Sequence, residues 1–201
     1  MDNSTMTKID LFFEDPAILR RPPGRYSVLY LLRRDINTCM GIDPDRPNCQ
    51  ALWPGAMAIF AGIDLLGKFL AGDDSFRSGK SSRRFKNFVR TYFQAVSQEN
   101  AAIIYQLRNS LLHSFGLYSR DSQGNEYIFT LIDSQTQGPL VRDLGSGHYL
   151  ADIRTLHNLF ETAITNYEAD LKKDSSLQEN FAAMFPKYGV VDIGRHVVRV
   201  E

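Results

Sequence analysis

The sequence predicts a mainly α protein: a four- to five-helix up-and-down bundle with a small β-hairpin or meander after its fourth helix. Two observations carry that expectation. Several long stretches repeat apolar residues at spacings of three and four, the signature of one buried helical face. A single stretch, about residues 117–143, changes to short β-prone runs broken by glycine-containing turns. The chain of 201 residues is read as one domain over 1–201, with a bundle core over 24–173 and a C-terminal extension over 174–201.

Composition narrows the class. The apolar fraction of 43% and charged fraction of 23% are those of a globular protein and argue against disorder. Lys+Arg and Asp+Glu each number 23, so global charge names no partner. Cys39 and Cys49 form no C-x-x-C pair; they suit free thiols in a reducing compartment, and one disulfide is the alternative. The first residues lack the charged-then-apolar order of a signal peptide, and no uninterrupted apolar run reaches membrane-spanning length. A cytoplasmic protein with no membrane partner is expected.

Residues 1–23 read as a lead-in in which Leu11-Phe12-Phe13 and Ile18-Leu19 dock on the core, broken by Pro22-Pro23-Gly24. A first helix is predicted over about Arg25–Asn37, with Val28, Leu29, Leu32 and Ile36 inward. Gly41–Asn48 is turn-rich and predicts a loop. The second helix, about Leu52–Leu70, is apolar nearly all round and carries Ala56, Ala58, Ala61 and Gly62, which suits a bundle centre where backbones approach closely. Its one internal carboxylate, Asp64, reads as a solvated edge residue, with pairing to a buried arginine as the alternative. After a polar loop over Gly72–Ser82, a third helix is predicted over about Arg83–Ala95, its apolar side marked by Phe85, Phe88, Val89 and Phe93.

The fourth helix spans Ser97–Gly116, with Ser97 as N-cap, Gly116 as the C-terminal stop, and Ile104, Leu107, Leu111 and Phe115 sharing one face. Strands are expected at Leu117–Arg120, Glu126–Asp133 and Leu140–Arg142, the meander ending at Gly145-Ser146-Gly147. A long helix, about Leu150–Lys173, closes the bundle. A short helix over Ser176–Phe185 is expected to stop at Pro186, and the β-prone tail reads as an edge strand or an interaction arm.

Familiar catalytic motifs are absent: no P-loop, G-x-G-x-x-G, H-E-x-x-H or G-x-S-x-G. His113, His148, His157 and His196 show no metal-ligand spacing, so neither a metal nor a cofactor is expected. Two features stand out. Arg77, Lys80, Arg83, Arg84, Lys86 and Arg90 crowd a segment with no acid from Ser75 to Gln98. That run reads equally as a solvated helix face or as a set of phosphate-binding cations for a nucleic-acid backbone. The fourth helix also places Arg108 at the edge of its apolar stripe, where a charge must be paired, with Asn109 and His113 four apart on the neighbouring face.

Arg108-Asn109-Ser110-Leu111-Leu112-His113 resembles the R-x(4–6)-H signature of HEPN domains, in which a polar residue, often Asn, follows the Arg. The resemblance covers roughly Arg25–Lys173, although only this helix carries specific residues. Arg142 and His148 match the same pattern inside a Gly-rich segment, so helical context favours Arg108 and His113. Many HEPN proteins are metal-independent endoribonucleases. The resemblance implies His113 as base toward the 2′-OH, Arg108 as phosphate ligand, Asn109 as orienting group, and products with a 2′,3′-cyclic phosphate and a 5′-OH. It also implies a homodimer with a composite site, RNA as substrate, and a toxin or defence role with an antitoxin partner. Some HEPN toxins carry a tyrosine two residues after the histidine, which a partner nucleotidyltransferase modifies. Here that residue is Phe115 and the next tyrosine is Tyr118, so that route of neutralisation is not expected. The competing expectations are a non-catalytic helical module binding a nucleotide, RNA or protein, and a structural protein in which Arg108 is internally salt-bridged.

Overall fold

The computed structural model describes residues 3–18, 24–42, 51–77, 79–94, 96–134 and 138–194. Leu19, Pro22-Pro23, most of the turn-rich Gly41–Asn48 segment, Cys49, Ala95 and the tail with His196 lie outside them. The described residues form α1 (Asn3–Phe12), β1 (Gly24–Ser27), α2 (Val28–Cys39), α3 (Leu52–Ala71), α4 (Lys80–Tyr92), α5 (Gln98–Ser114), β2 (Tyr118–Arg120), β3 (Glu126–Ile132), β4 (Val141–Gly145), β5 (His148–Asp152), α6 (Ile153–Leu171), α7 (Ser175–Tyr188) and β6 (Val190–Ile193). The described residues are mainly helical with two small sheets.

Helix α3 is central and touches α2, α4, α5, α6 and α7. Its glycines set how close the neighbours come. A Cβ on Gly62 would lie 2.5 Å from the Phe160 ring of α6, and one on Gly67 would lie 3.1 Å from the Arg84 carbonyl oxygen of α4. The apolar surround that composition alone makes compatible with a membrane span is here packed into the core: Ala56, Ile59, Phe60, Ile63, Leu66 and Phe69 are all buried.

The core extends beyond the predicted bundle at both ends. The lead-in holds a helix, α1, whose Phe12 packs on Phe69 and Phe181, with ring centroids 4.6 and 5.5 Å away. Phe181, Met184 and Phe185 of α7 are buried, so the segment read as an extension shares the same core. Helix α7 also runs through Pro186 to Tyr188. A proline in the final turn removes a single intrahelical hydrogen bond, too little to stop a helix whose apolar face is already docked.

Three other boundaries differ from expectation. Arg25 opens no helix: β1 pairs antiparallel with β6, from Gly24↔Ile193 to Ser27↔Val190, and Ser27 then caps α2, its Oγ accepting from the Tyr30 N–H at 3.1 Å. The polar loop ends earlier, because α4 begins at Lys80. The glycine turn at 145–147 does not end the β-region. It links β4 to β5, with φ of 88°, 54° and 75°, and β5 then pairs parallel with β3. The sheet order is β2-β3-β5-β4. Residues 150–152, expected to open the last bundle helix, instead finish this sheet, and Asp152 caps α6 by accepting from the Arg154 and Thr155 N–H groups.

His157 on α6 is 6% exposed and faces Asn37 of α2, Nε2 to Oδ1 3.4 Å, among Glu161, Asn158, Arg154 and Arg33. Burial pushes its imidazole below the ordinary value, and Glu161 offsets this only in part. A lowered native pKa means the unfolded chain binds the proton more readily. The contribution of His157 is therefore fully present above about pH 6.5 and is lost as pH falls through the native value. Urea midpoints are expected to fall below about pH 6.5, by at most about 1.4 kcal/mol per pH unit from this group, and to flatten in His157→Gln. Equal slopes in both proteins would assign the acid sensitivity elsewhere.

Candidate functional site

Helix α5 forms as its sequence requires at one end and departs from it at the other. The Ser97 Oγ accepts from the Asn100 N–H at 3.0 Å, and Ile103, Ile104, Leu107 and Leu111 are buried. Phe115 was expected on this face, yet it is 73% exposed. The reason is the backbone. Phe115, not Gly116, takes the left-handed conformation, with φ 46°, and the Gly116 N–H returns to the Ser110 carbonyl at 3.1 Å. That reversal turns the ring away from the core.

Arg108 is the hub of the site. Its Nε and Nη2 donate to one oxygen of Asp64 on α3, at 2.9 and 2.5 Å. Its Nη1 donates to the Asn109 Oδ1 at 3.1 Å and approaches the His113 Nε2 at 2.6 Å. The two charged side chains are 12% and 19% exposed, so the pair is largely desolvated. Asp64 is therefore not the solvated edge residue expected: the face of α3 that carries it meets α5. Lys68, one turn further along α3, is a second cation near this carboxylate. Burial lowers its pKa and Asp64 draws it back up.

The contact with His113 has a chemical consequence. A guanidinium has donors and no lone pair to offer, so the imidazole nitrogen facing it must accept. In this contact the Nε2 lone pair is aimed at Arg108. The histidine itself is exposed at the end of the helix. An exposed base thus touches a half-buried cation that a carboxylate holds from behind. Such an arrangement can bind an anion and receive a proton beside it.

The six basic residues divide. Lys80 Nζ lies 3.0 Å from Asp73 and Arg84 Nη1 lies 3.6 Å from it, and Arg84 also donates to the Ser75 carbonyl at 2.9 Å. Hydrogen bonds from Ser75, and then from Lys80, hold the Asp73 carboxyl well below the usual carboxylate range. Arg84 is buried, so it braces the loop before α4 rather than facing solvent. Arg77 is exposed in that loop. Arg83, Lys86 and Arg90 lie on the other side of α4, where they line a cleft of about 380 Å³ together with Ser82 and Gln98.

Arg108, Asn109 and His113, placed on one helix edge by the sequence, meet at the guanidinium, which touches both of the others. For Asp64 the solvated edge expected first gives way to the alternative, pairing with a buried arginine; Asp73 was passed over. The available signals were a lone carboxylate inside an apolar helix and the last acids before an acid-free stretch. The alternative pair, Arg142 and His148, lies on β4 and β5. The Tyr118 hydroxyl donates to Glu126 at 2.9 Å. Among the described residues no group of three or more His, Cys, Asp or Glu side chains is placed to share a metal ion. No protein-family model, no curated protein and no solved structure matches this chain.

Proposed function

We propose that this chain is a HEPN-like, metal-independent endoribonuclease. The observation that carries the reading is the 2.6 Å contact between Arg108 Nη1 and His113 Nε2 in a cation pinned by Asp64. An RNA phosphate arriving at Arg108 competes for Nη1 and frees the Nε2 lone pair. His113 then takes the 2′-OH proton, the 2′ oxygen attacks phosphorus, and the bond to the 5′ oxygen breaks. A proton from water, delivered to that oxygen, completes a 5′-OH product beside a 2′,3′-cyclic phosphate, and His113 returns its own proton to solvent. Arg108 offsets the charge gathering on the phosphate oxygens, and Asn109 keeps the guanidinium turned toward His113. RNA approach is assisted by Arg83, Lys86 and Arg90 on the open side of α4. A homodimer with the two α5 helices facing across a cleft suits the exposed, backbone-strained Phe115 beside the motif, and a toxin or defence role with an antitoxin partner fits such an enzyme.

The test is cleavage of a mixed RNA pool in excess EDTA, with product ends read by phosphatase and kinase labelling. Cleavage with cyclic-phosphate ends is expected. The second reading is a non-catalytic module for a nucleotide, RNA or protein. It is favoured by the same network seen from the other side, since Asp64, Asn109 and His113 together engage all three nitrogens of Arg108. Binding of RNA by a folded protein without any cleavage would select it.

A further inference from the structure

Basic residues on a helix usually face solvent with no particular ligand, so the question is whether anything distinguishes those of α4. Arg83, Lys86 and Arg90 follow at i, i+3 and i+7 and share one stripe. Among the described residues no carboxylate lies within ion-pair distance of them, whereas Lys80 and Arg84, on the adjoining stripe, are both turned to Asp73. The three unneutralised cations line the cleft between α4 and the first turns of α5, which Gln98 and Ala102 close from the far side.

The cleft also leads somewhere. Lys86 Nζ lies 5.8 Å from the centre of the Tyr105 ring, and the Arg108 guanidinium carbon lies 5.8 Å from the same centre. Tyr105 thus joins the cleft to the Asp64–Arg108–His113 group. Gln98, Ala102, Tyr105 and Asn109 follow at spacings of four, three and four, so they share one face of α5. At 1.5 Å rise per residue the cleft lies about 10–16 Å along that face from Asn109. Along a stacked strand the axial rise is about 3.4 Å per nucleotide, so the interval spans at most about five nucleotides, and fewer of an extended strand.

We propose that the α4–α5 cleft is a second phosphate subsite. It holds a backbone phosphate of a single RNA strand a few nucleotides, at most about five, from the one at Arg108. The identity of the strand as RNA rests on the ribonuclease reading; the phosphate subsite itself does not. The protein thereby discriminates by length: a dinucleotide reaches Arg108 alone, and a longer strand fills both positions.

The full-length protein is titrated with fluorescein-labelled 2′-O-methyl oligonucleotides of two and about eight nucleotides, which cannot undergo 2′-OH attack. Wild type is compared with Arg83→Glu/Lys86→Glu and with Lys8→Glu/Lys173→Glu, which makes the same charge change at two exposed lysines elsewhere. The cleft variant is expected to bind the longer strand at least tenfold more weakly, with the slope of log K against log salt reduced by about 1.4 for two lost phosphate contacts. Its loss for the dinucleotide is expected to be about tenfold smaller. An equal loss in the charge-matched variant, or equal losses at both lengths, would overturn the subsite. Competition by poly-glutamate as effective as that by RNA would do the same, reducing the cleft to a general anion patch. The parent reading fails separately: length-dependent binding through the cleft by a protein that cleaves no RNA keeps the subsite and discards the nuclease.

Discussion

His113→Ala is expected to lower the rate of RNA cleavage by roughly 10²–10⁴-fold, the usual worth of a positioned general base, while leaving the fold unchanged. The second half of that expectation follows from placement. His113 is exposed at the last turn of α5 and has its described polar contact with Arg108 alone. Exposed substitutions of this kind shift stability by about 0.5 kcal/mol or less. Arg108 loses one acceptor but keeps Asp64 and Asn109, so the guanidinium stays in position. Circular dichroism and the urea midpoint are therefore expected to overlay those of the wild type while cyclic-phosphate products disappear. Undiminished cleavage by the variant would remove His113 from the chemistry. A coincident loss of the native signal would mean that the ring is structural.

Asp64→Ala is expected to be the more damaging change to the protein itself. It leaves Arg108, 12% exposed, without its counter-charge against α3. Breaking a fully buried pair costs about 3–5 kcal/mol; for this edge position the expected cost is about 2–3 kcal/mol. Arg108→Met is expected to cost less, because Asp64 keeps Lys68 one turn away and the methionine fills the stem's volume. Replacing both, Asp64→Leu/Arg108→Met, restores a matched apolar contact between α3 and α5 and is expected to return stability to within about 1 kcal/mol of the wild type. Cleavage is expected to be lost in all three. A urea double-mutant cycle with cleavage assays on the same samples separates the two roles. Recovered stability with lost cleavage assigns Arg108 to function. Four proteins of equal stability would show that the pair does not hold α3 to α5.

The prospects for reading this site from sequence differed residue by residue. Arg108, Asn109 and His113 lie on one helix within two turns, so the 3.6-residue period alone places them together. Asp64 is 44 positions away, and nothing local distinguishes an acid that faces water from one that meets another helix. The division of the basic run has the same origin. Lys80 and Arg84 are neutralised because the loop after α3 brings Asp73 against their stripe of α4.

What the sequence determined by itself is the mainly helical character, the extent of α3 and α5 to within a residue or two, the Ser97 cap and the shared edge of the motif residues. Each follows from spacing and capping chemistry within a few turns. Tertiary structure alone decided the rest. It turned Arg25 into a strand by pairing it with Asp192, carried α7 through Pro186 by docking Phe181 and Phe185, and set β5 parallel to β3. It also chose Asp64 as the partner of Arg108. These outcomes depend on contacts between distant segments, where burial and ion pairing outweigh the local preferences that a sequence displays.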